Sequence, residues 1–260
     1  MLPKPPAPIA DRITNYSATP VTDGESGGIV HRLAAADRPT LFLKNGTGTV
    51  AADIADEHRR LRWLAGQWRV PEIVDYAETP AGAWLLTTAL PGRSAQQWLN
   101  EHPDRQADAV RAMAKHLAWM HQLPIERCPF DAGLPRRVEA ARSNAAAGQV
   151  DLDDLDPERE GWSVAQLLAR LDDLIPTAID PVVTHGDFSL DNIFLDESGA
   201  VTGCLDVGRA GVADRWQDLA ILWNCLRDID PAAADAVFDV YGVRVDPAKI
   251  ELYLLLDEFF

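Results

Sequence analysis

The stretch Val182-Val-Thr-His-Gly-Asp-Phe-Ser-Leu-Asp-Asn-Ile-Phe-Leu195 joins two apolar runs through a polar loop. Short apolar runs bounded by turn residues are typical of buried strands. A loop held between two such strands keeps its side chains in fixed positions, and here they include the carboxylate of Asp187 and the amide of Asn192. Asp or Asn alone is a common turn former, so a chemical role for this loop depends on what the sequence supplies downstream.

A further carboxylate follows a third short apolar run, residues 201–205, at Asp206. We expect Asp187, Asn192 and Asp206 to converge as a base and two oxygen ligands. Oxygen-only ligands suit Mg²⁺ rather than Zn²⁺. The three cysteines are odd in number and widely spaced, which predicts neither a disulfide framework nor a CxxC metal site.

The order of the predicted elements places strands first and helices later. Strands are favoured over residues 14–21, 27–33, 40–44, 72–78 and 83–89, with a turn at Asn45-Gly46 and one helix over 50–68. Helices are favoured over 104–122, 136–147, 163–174, 215–227, 232–241 and 247–260, and short strands return at 181–184, 193–195 and 201–205. This order predicts an α+β fold with a small β-rich N-terminal lobe, residues 1–90, and a larger, mostly helical C-terminal lobe, residues 91–260.

The excess of negative charge is confined to the last 110 residues of the chain. Residues 1–100 carry 10 basic and 10 acidic side chains, residues 101–150 carry 7 and 6, and residues 151–260 carry 7 and 24. The electric field of such a segment repels nucleic acid and anionic lipid and attracts cations. The alternative interpretation is that the acidic residues only improve solubility. We therefore expect a cationic ligand and neither a nucleic-acid nor a membrane partner. No apolar run reaches the about 20 residues of a membrane span, and residues 1–8 lack the apolar segment of a signal peptide, so we expect a cytoplasmic protein.

The loop motifs resemble those of a known fold. His185-Gly-Asp187, then Asn192, then Leu205-Asp-Val-Gly208 are similar to the catalytic and metal-binding loops of the protein-kinase-like fold, in their small-molecule-kinase version. Asp206-Val-Gly-Arg-Ala-Gly-Val-Ala-Asp-Arg-Trp-Gln-Asp-Leu-Ala220 and Leu255-Leu-Asp-Glu-Phe-Phe260 resemble the aminoglycoside 3′-phosphotransferases. The resemblance extends over essentially the whole chain. It implies ATP-dependent phosphorylation of the 3′-hydroxyl of kanamycin- and neomycin-type drugs, which gives antibiotic resistance.

The same resemblance assigns the residues that bind ATP and catalyse transfer. Asp187 is implied to be the catalytic base, with Asn192 and Asp206 as the ligands of Mg²⁺. Lys44 matches the lysine that binds the α- and β-phosphates, and Glu57 matches the helix glutamate that pairs with it. The other ATP contacts that the resemblance implies are Ser26, in the loop over the phosphates, and the backbone of Thr88 and Leu90 beside adenine.

The drug contacts that the resemblance implies lie in the acidic segment. A polycationic drug needs carboxylates that replace the water around its ammonium groups. Asp156 matches a family carboxylate, but Pro157 stands where relatives often carry a second acid, so we expect Glu158 or Glu160 to replace it. Further implied contacts are Arg209, Glu258 and the terminal carboxylate of Phe260. Apolar residues at helical spacing predict a buried stripe on the last helix that leaves Glu258 free: Leu252, Leu255, Leu256 and Phe259.

Two other functions are consistent with parts of this pattern. One is a kinase of another small cationic or polyol metabolite, such as choline or a sugar amine. The other is a non-catalytic nucleotide-binding module, against which the intact set Lys44, Glu57, Asp187, Asn192 and Asp206 argues. We expect a monomer or a weak dimer.

Overall fold

The structure is a computed structural model that describes residues 5–21 and 28–260. The chain divides into two compact units. The first comprises Met1–Arg93, Phe194–Glu197 and Thr202–Gly208, and the second comprises Ser94–Ile193, Ser198–Val201 and Arg209–Phe260. Asp206 therefore belongs to the first unit together with Lys44, whereas Asp187 and Asn192 belong to the second.

The first unit is built on a five-stranded antiparallel sheet with the strand order β1-β2-β3-β5-β4. Leu33, Leu43 and Leu86 are fully or almost fully buried, and they pack with Ile9 and Ile13 into one apolar cluster. The elements, in chain order, are α1 Ala7–Arg12, β1 Ser17–Val21, β2 Ile29–Ala35, β3 Arg38–Gly46, α2 Gly48–Leu64, β4 Ile73–Thr79 and β5 Gly82–Thr88.

The turn predicted at Asn45-Gly46 is wrong, because both residues continue β3. Asn45 pairs with Trp84 and Gly46 with Ala83 of β5. A Cβ placed on Gly46 would lie 2.2 Å from Cγ1 of Val50, so the glycine serves the close approach of α2 to the strand rather than a hairpin turn. This approach matters for function, since α2 carries Glu57.

The rest of the chain is mostly helical, as predicted. Strand β7 pairs antiparallel with β10, with Thr184 opposite Gly211, and three short strands form a sheet in the order β6-β8-β9. The elements are β6 Arg93–Ser94, α3 Ala95–Glu101, α4 Gln106–Met120, α5 Leu134–Ala146, α6 Val164–Leu174, β7 Pro181–Thr184, β8 Ile193–Leu195, β9 Val201–Cys204, β10 Gly211–Asp214, α7 Trp216–Arg227, α8 Pro231–Tyr241 and α9 Pro247–Asp257.

The predicted α+β class is confirmed, with a β-rich first part followed by a helical part. The buried stripe on α9 is also confirmed, since Leu252, Leu255, Leu256 and Phe259 are fully buried. Four elements were not predicted: α1, α3, β6 and β10. Of the helices formed within residues 5–21 and 28–260, none has the length and apolarity needed to cross a membrane.

Candidate active site

Gly186 makes possible the turn that carries Asp187 out of β7. Its φ is +92°, and a Cβ there would lie 2.5 Å from the carbonyl oxygen of Arg209. Both the positive φ and the close backbone approach require glycine. Asp187 donates its backbone N–H to Nδ1 of the buried His185, at 3.3 Å, and its own side chain remains half-buried. The strand-loop-strand arrangement predicted for this stretch is confirmed by β7 and β8.

A second carboxylate, Asp218, fixes the backbone of this turn. Asp218 lies in the first turn of α7 with no solvent exposure. It accepts the backbone N–H of His185 at 2.7 Å and that of Gly186 at 2.8 Å. Burial alone raises the pKa of Asp218, but its hydrogen bond with His121 and the donors of the loop outweigh burial and lower this pKa below the usual value. Asp218 therefore stays ionised, as an anchor for the turn.

The amide of Asn192 is oriented by the same loop. Its Nδ2 donates to the carbonyl oxygen of Asp187 at 3.1 Å. Because the NH₂ group points back into the loop, the amide oxygen is turned the other way. An amide oxygen is one of the ligand types that Mg²⁺ and Ca²⁺ accept.

Lys44, Glu57 and Asp206 come together in the first unit. The Lys44 Nζ lies 2.9 Å from Oε2 of Glu57 and 3.6 Å from Oδ1 of Asp206. Burial lowers the pKa of Lys44, but the two carboxylates outweigh burial and raise it overall. Burial, together with the charge of Asp206, raises the pKa of Glu57 against the effect of Lys44. The predicted pair of Lys44 and Glu57 is thus present, with the ammonium held in its charged form.

Asp206, in the first unit, and Asn192, in the second, each carry an oxygen donor of the kind that Mg²⁺ prefers. Asp206 has a φ of +52°, a left-handed conformation that is costly for a residue with a side chain, and its carboxylate already faces one cation, Lys44. In the part of the chain that the structure describes, no three His, Cys, Asp or Glu side chains form a group suited to a metal ion. Mg²⁺ usually keeps several water ligands and needs only one or two from the protein, so a single donor of this kind would be enough for a protein contact.

The predicted adenine contacts lie at the end of β5, Thr88, and two residues beyond it, Leu90. The backbone N–H of Thr88 donates to the carbonyl oxygen of Glu72 at 3.0 Å. Because this N–H is occupied, we expect Thr88 to contact adenine through its carbonyl oxygen. Leu90 follows two residues later, and its side chain faces Gly203 of the same unit. Ser26 lies outside the described residues.

Two of the predicted drug-contacting carboxylates are joined by an arginine that sequence reasoning missed. Arg159, only 6% exposed, donates through Nη2 to Asp156 at 2.7 Å and through Nε to Glu258 at 2.5 Å. The Asp156 backbone N–H also points at Glu258. Burial raises the pKa of Glu258, although the guanidinium acts in the opposite direction. The expectation that Glu258 is free was therefore wrong, because its side chain is buried and paired.

The other predicted drug contacts differ in their surroundings. Glu158 forms a two-point ion pair with Arg227, at 2.7 and 3.1 Å, and this hydrogen bonding lowers the pKa of Glu158. Glu158 and Glu160 are both exposed. Of the two candidates for the position of the missing family acid, Glu160 is thus the one not engaged by Arg227.

Arg209 and Phe260 lie close together, and a second arginine that was not predicted, Arg137, joins them. The guanidinium of Arg209 lies 5.7 Å from the centre of the Phe260 ring, and that of Arg137 lies 4.7 Å from it. Such cation–π contacts hold an aromatic ring in place. Arg137 also pairs with Asp257 at 3.0 Å. The sequence signal for Arg137 was weak, because it lies more than a hundred residues from its partners.

Comparison with known proteins identifies the family to which the chain belongs. Residues 17–253 match the family model described as "Phosphotransferase enzyme family". An aminoglycoside 3′-phosphotransferase of Escherichia coli is 47% identical over 91% of this chain and 88% of its own length. The crystal structure of an aminoglycoside-3′-phosphotransferase of type VIII superposes with a TM-score of 0.87 at 37% identity, over 97% of both chains. An aminoglycoside phosphotransferase of Streptomyces rimosus, solved in complex with ADP and streptomycin, superposes with a TM-score of 0.85 at 30% identity, over 96% of this chain and 95% of its own.

Fold and site together define a phosphotransferase with a protein-kinase-like fold. Within that class, the chain belongs to the aminoglycoside 3′-phosphotransferase family.

Proposed function

We propose that this protein transfers the γ-phosphate of ATP to the 3′-hydroxyl of aminoglycosides of the kanamycin and neomycin type, and so gives resistance to them. The observation that carries the choice of hydroxyl is the 47% identity with the E. coli 3′-phosphotransferase. The arrangement of Lys44 beside Glu57 and Asp206 supports a nucleotide-dependent kinase. Because ATP is supplied in the cytoplasm, we place the reaction there.

In this proposal the residues of the two sequence regions have separate tasks. Residues 1–90 hold ATP, with Lys44 on the α- and β-phosphates, and residues 91–260 supply the base and the drug site. The oxygen of the 3′-hydroxyl attacks the γ-phosphorus, and the bond between the γ-phosphorus and the β–γ bridging oxygen breaks. Asp187 accepts the proton that the hydroxyl loses. Asn192 and Asp206 are the proposed ligands of Mg²⁺, which neutralises charge on the phosphates when bound. Most of the rate enhancement then comes from placement and charge neutralisation.

The proposed drug site explains where the negative charge lies. Asp156, Glu160 and Glu258 belong to the segment with 24 acidic and 7 basic side chains. Ammonium groups of the drug meet carboxylates there, and Arg209 lies beside the Phe260 ring. We propose that the protein works as a monomer or weak dimer, without a nucleic-acid or membrane partner.

The decisive experiment measures ATP consumption with kanamycin, its 3′-deoxy analogue, streptomycin and choline, and maps each product by NMR. We expect turnover with kanamycin and none at that position with the 3′-deoxy compound. A kanamycin product phosphorylated at the 2″-hydroxyl would refute the regiochemistry and leave the kinase intact. Turnover with choline alone would favour the metabolite kinase, and the absence of any turnover would favour a binding module.

A further inference from the structure

His121 is a buried histidine with both ring nitrogens hydrogen-bonded. It is 7% exposed and lies at the C-terminal end of α4. Its Nε2 is 2.9 Å from Oδ2 of Asp218, in the first turn of α7, and its Nδ1 is 2.7 Å from the hydroxyl of Tyr241, the last residue of α8. Three helices therefore meet at one imidazole.

The chemistry of the partners assigns the protons of this ring. Asp218 stays ionised because hydrogen bonds lower its pKa despite full burial, and an ionised carboxylate only accepts. Nε2 of His121 therefore carries the hydrogen that it donates to Asp218. In the neutral ring Nδ1 then accepts the hydroxyl hydrogen of Tyr241, whose pKa burial raises to about 12.

The contact continues from Asp218 to the catalytic turn. The oxygen that faces His121, Oδ2, also accepts the backbone N–H of His185, and Oδ1 accepts that of Gly186. These two amides immediately precede Asp187. A rotation of the Asp218 carboxylate would therefore move the base itself, and the bond from His121 opposes this rotation.

We propose that His121 is a positioning residue of the phosphotransfer reaction, which holds Asp187 in place through Asp218 and is itself oriented by Tyr241. The inference rests on the proposed role of Asp187 as base. A rigid support of this kind is worth a large factor in rate, because a displacement of about 1 Å at the reacting atoms costs about a hundredfold.

Two amide variants of His121 test its hydrogen bond to Asp218 separately from its hydrogen bond to Tyr241. In His121→Gln the amide nitrogen takes the place of Nε2 and keeps the bond to Asp218, whereas in His121→Asn the amide takes the place of Nδ1 and keeps only the bond to Tyr241. We expect kcat with kanamycin to fall between about tenfold and a hundredfold in His121→Asn and by less than about threefold in His121→Gln. KM for ATP and for kanamycin should stay within about twofold of wild type in both.

Amide hydrogen exchange and thermal unfolding distinguish positioning from a general loss of structure. Exchange at residues 185 and 186 should accelerate in His121→Asn and not in His121→Gln, with assays run well below the unfolding temperature of each variant. If both variants fail to fold, Tyr241→Phe decides, with kcat expected to fall about threefold and exchange at residue 185 to accelerate. Equal kcat values for the Asn and Gln variants, or changes shared equally by kcat and KM, would overturn the inference. A wild-type protein inactive on kanamycin would instead overturn the proposed function.

Discussion

At the scale of single residues, two carboxylates near one turn have opposite environments. Asp218 is fully buried and receives hydrogen bonds from two backbone amides and from His121. These donors stabilise its charged form and make it a poor proton acceptor. Asp187, by contrast, is half-buried and so remains in contact with solvent. Of the two, only Asp187 is accessible to a substrate, which a general base must contact.

Replacement of Asp187 by Asn should therefore abolish transfer and spare nucleotide binding. We expect kcat to fall by about a hundredfold to ten-thousandfold, the usual contribution of a general base, while the Kd for Mg²⁺-ATP from calorimetry stays near the wild-type value. Asp191→Asn is the matched control, because Asp191 is an exposed acid on the same loop, and it should keep its activity. Wild-type turnover in Asp187→Asn would remove Asp187 from the mechanism.

The pair of Glu57 and Lys44 gives the complementary prediction for ATP. In Glu57→Gln the ammonium loses its nearest charged partner and moves towards Asp206, which lies 3.6 Å away. A charge-assisted hydrogen bond contributes about 1.5–3 kcal/mol, so we expect KM for ATP to rise about tenfold, with KM for the drug nearly unchanged. Asp56→Asn, at the neighbouring position of α2 where the side chain pairs with the exposed Arg59, should leave both constants unchanged. A shift confined to the drug KM would contradict this role.

At the scale of elements, the sequence predicted apolar runs between turn residues well and segments with few apolar residues poorly. Strand β7 and strand β8 were predicted with their observed bounds, because apolar runs between turn residues are unambiguous there. Strand β10 was missed because, among Gly211, Val212, Ala213 and Asp214, only Val212 favours a strand. The turn signal at Asn45-Gly46 failed because packing of α2 against β3 overrides a local preference.

The turn after β7 gives a prediction at this scale. Gly186→Ala adds a Cβ 2.5 Å from the carbonyl oxygen of Arg209, at a φ of +92°. Both the turn and the backbone of Arg209 must therefore shift, at a cost in free energy. We expect a loss of about 1–3 kcal/mol in the free energy of unfolding and a kcat reduced more than about tenfold, because the base is displaced. Denaturant titration and steady-state kinetics measure the two effects.

Gly148→Ala is the control that separates strain from displacement. Gly148 also has a positive φ, +67°, but a Cβ there meets nothing within 4 Å. It should lose about 1 kcal/mol of stability through backbone strain and keep the wild-type kcat. Equal losses of activity in both variants would show that strain, and not the position of Asp187, accounts for the effect.

At the scale of the whole molecule, the site depends on contacts that no sequence pattern displays. His121 and Asp218 are 97 positions apart, and Arg159 and Glu258 are 99 positions apart. Motifs predicted Asp187, Asn192 and Asp206 because their spacing within one segment is short. The supporting residues were missed because only the packing of distant helices brings them to their partners.

Charge distribution leads to the last prediction. The 110 residues from 151 to 260 hold a net charge of −17, while the first 100 are neutral, so a polycationic drug is attracted to one region of the chain. The screening length falls from about 30 Å at 0.01 M salt to about 8 Å at 0.15 M. We expect kcat/KM for kanamycin to fall about tenfold over this range, with KM for ATP changing less.

A double variant, Asp153→Asn with Asp154→Asn, removes two exposed charges near Asp156 and should lower kcat/KM at low salt only. The control double variant, Asp11→Asn with Asp37→Asn, makes the same change in net charge within the neutral region and should leave kcat/KM unchanged. Equal kcat/KM values for the two double variants would show that total charge, and not its location, governs drug capture.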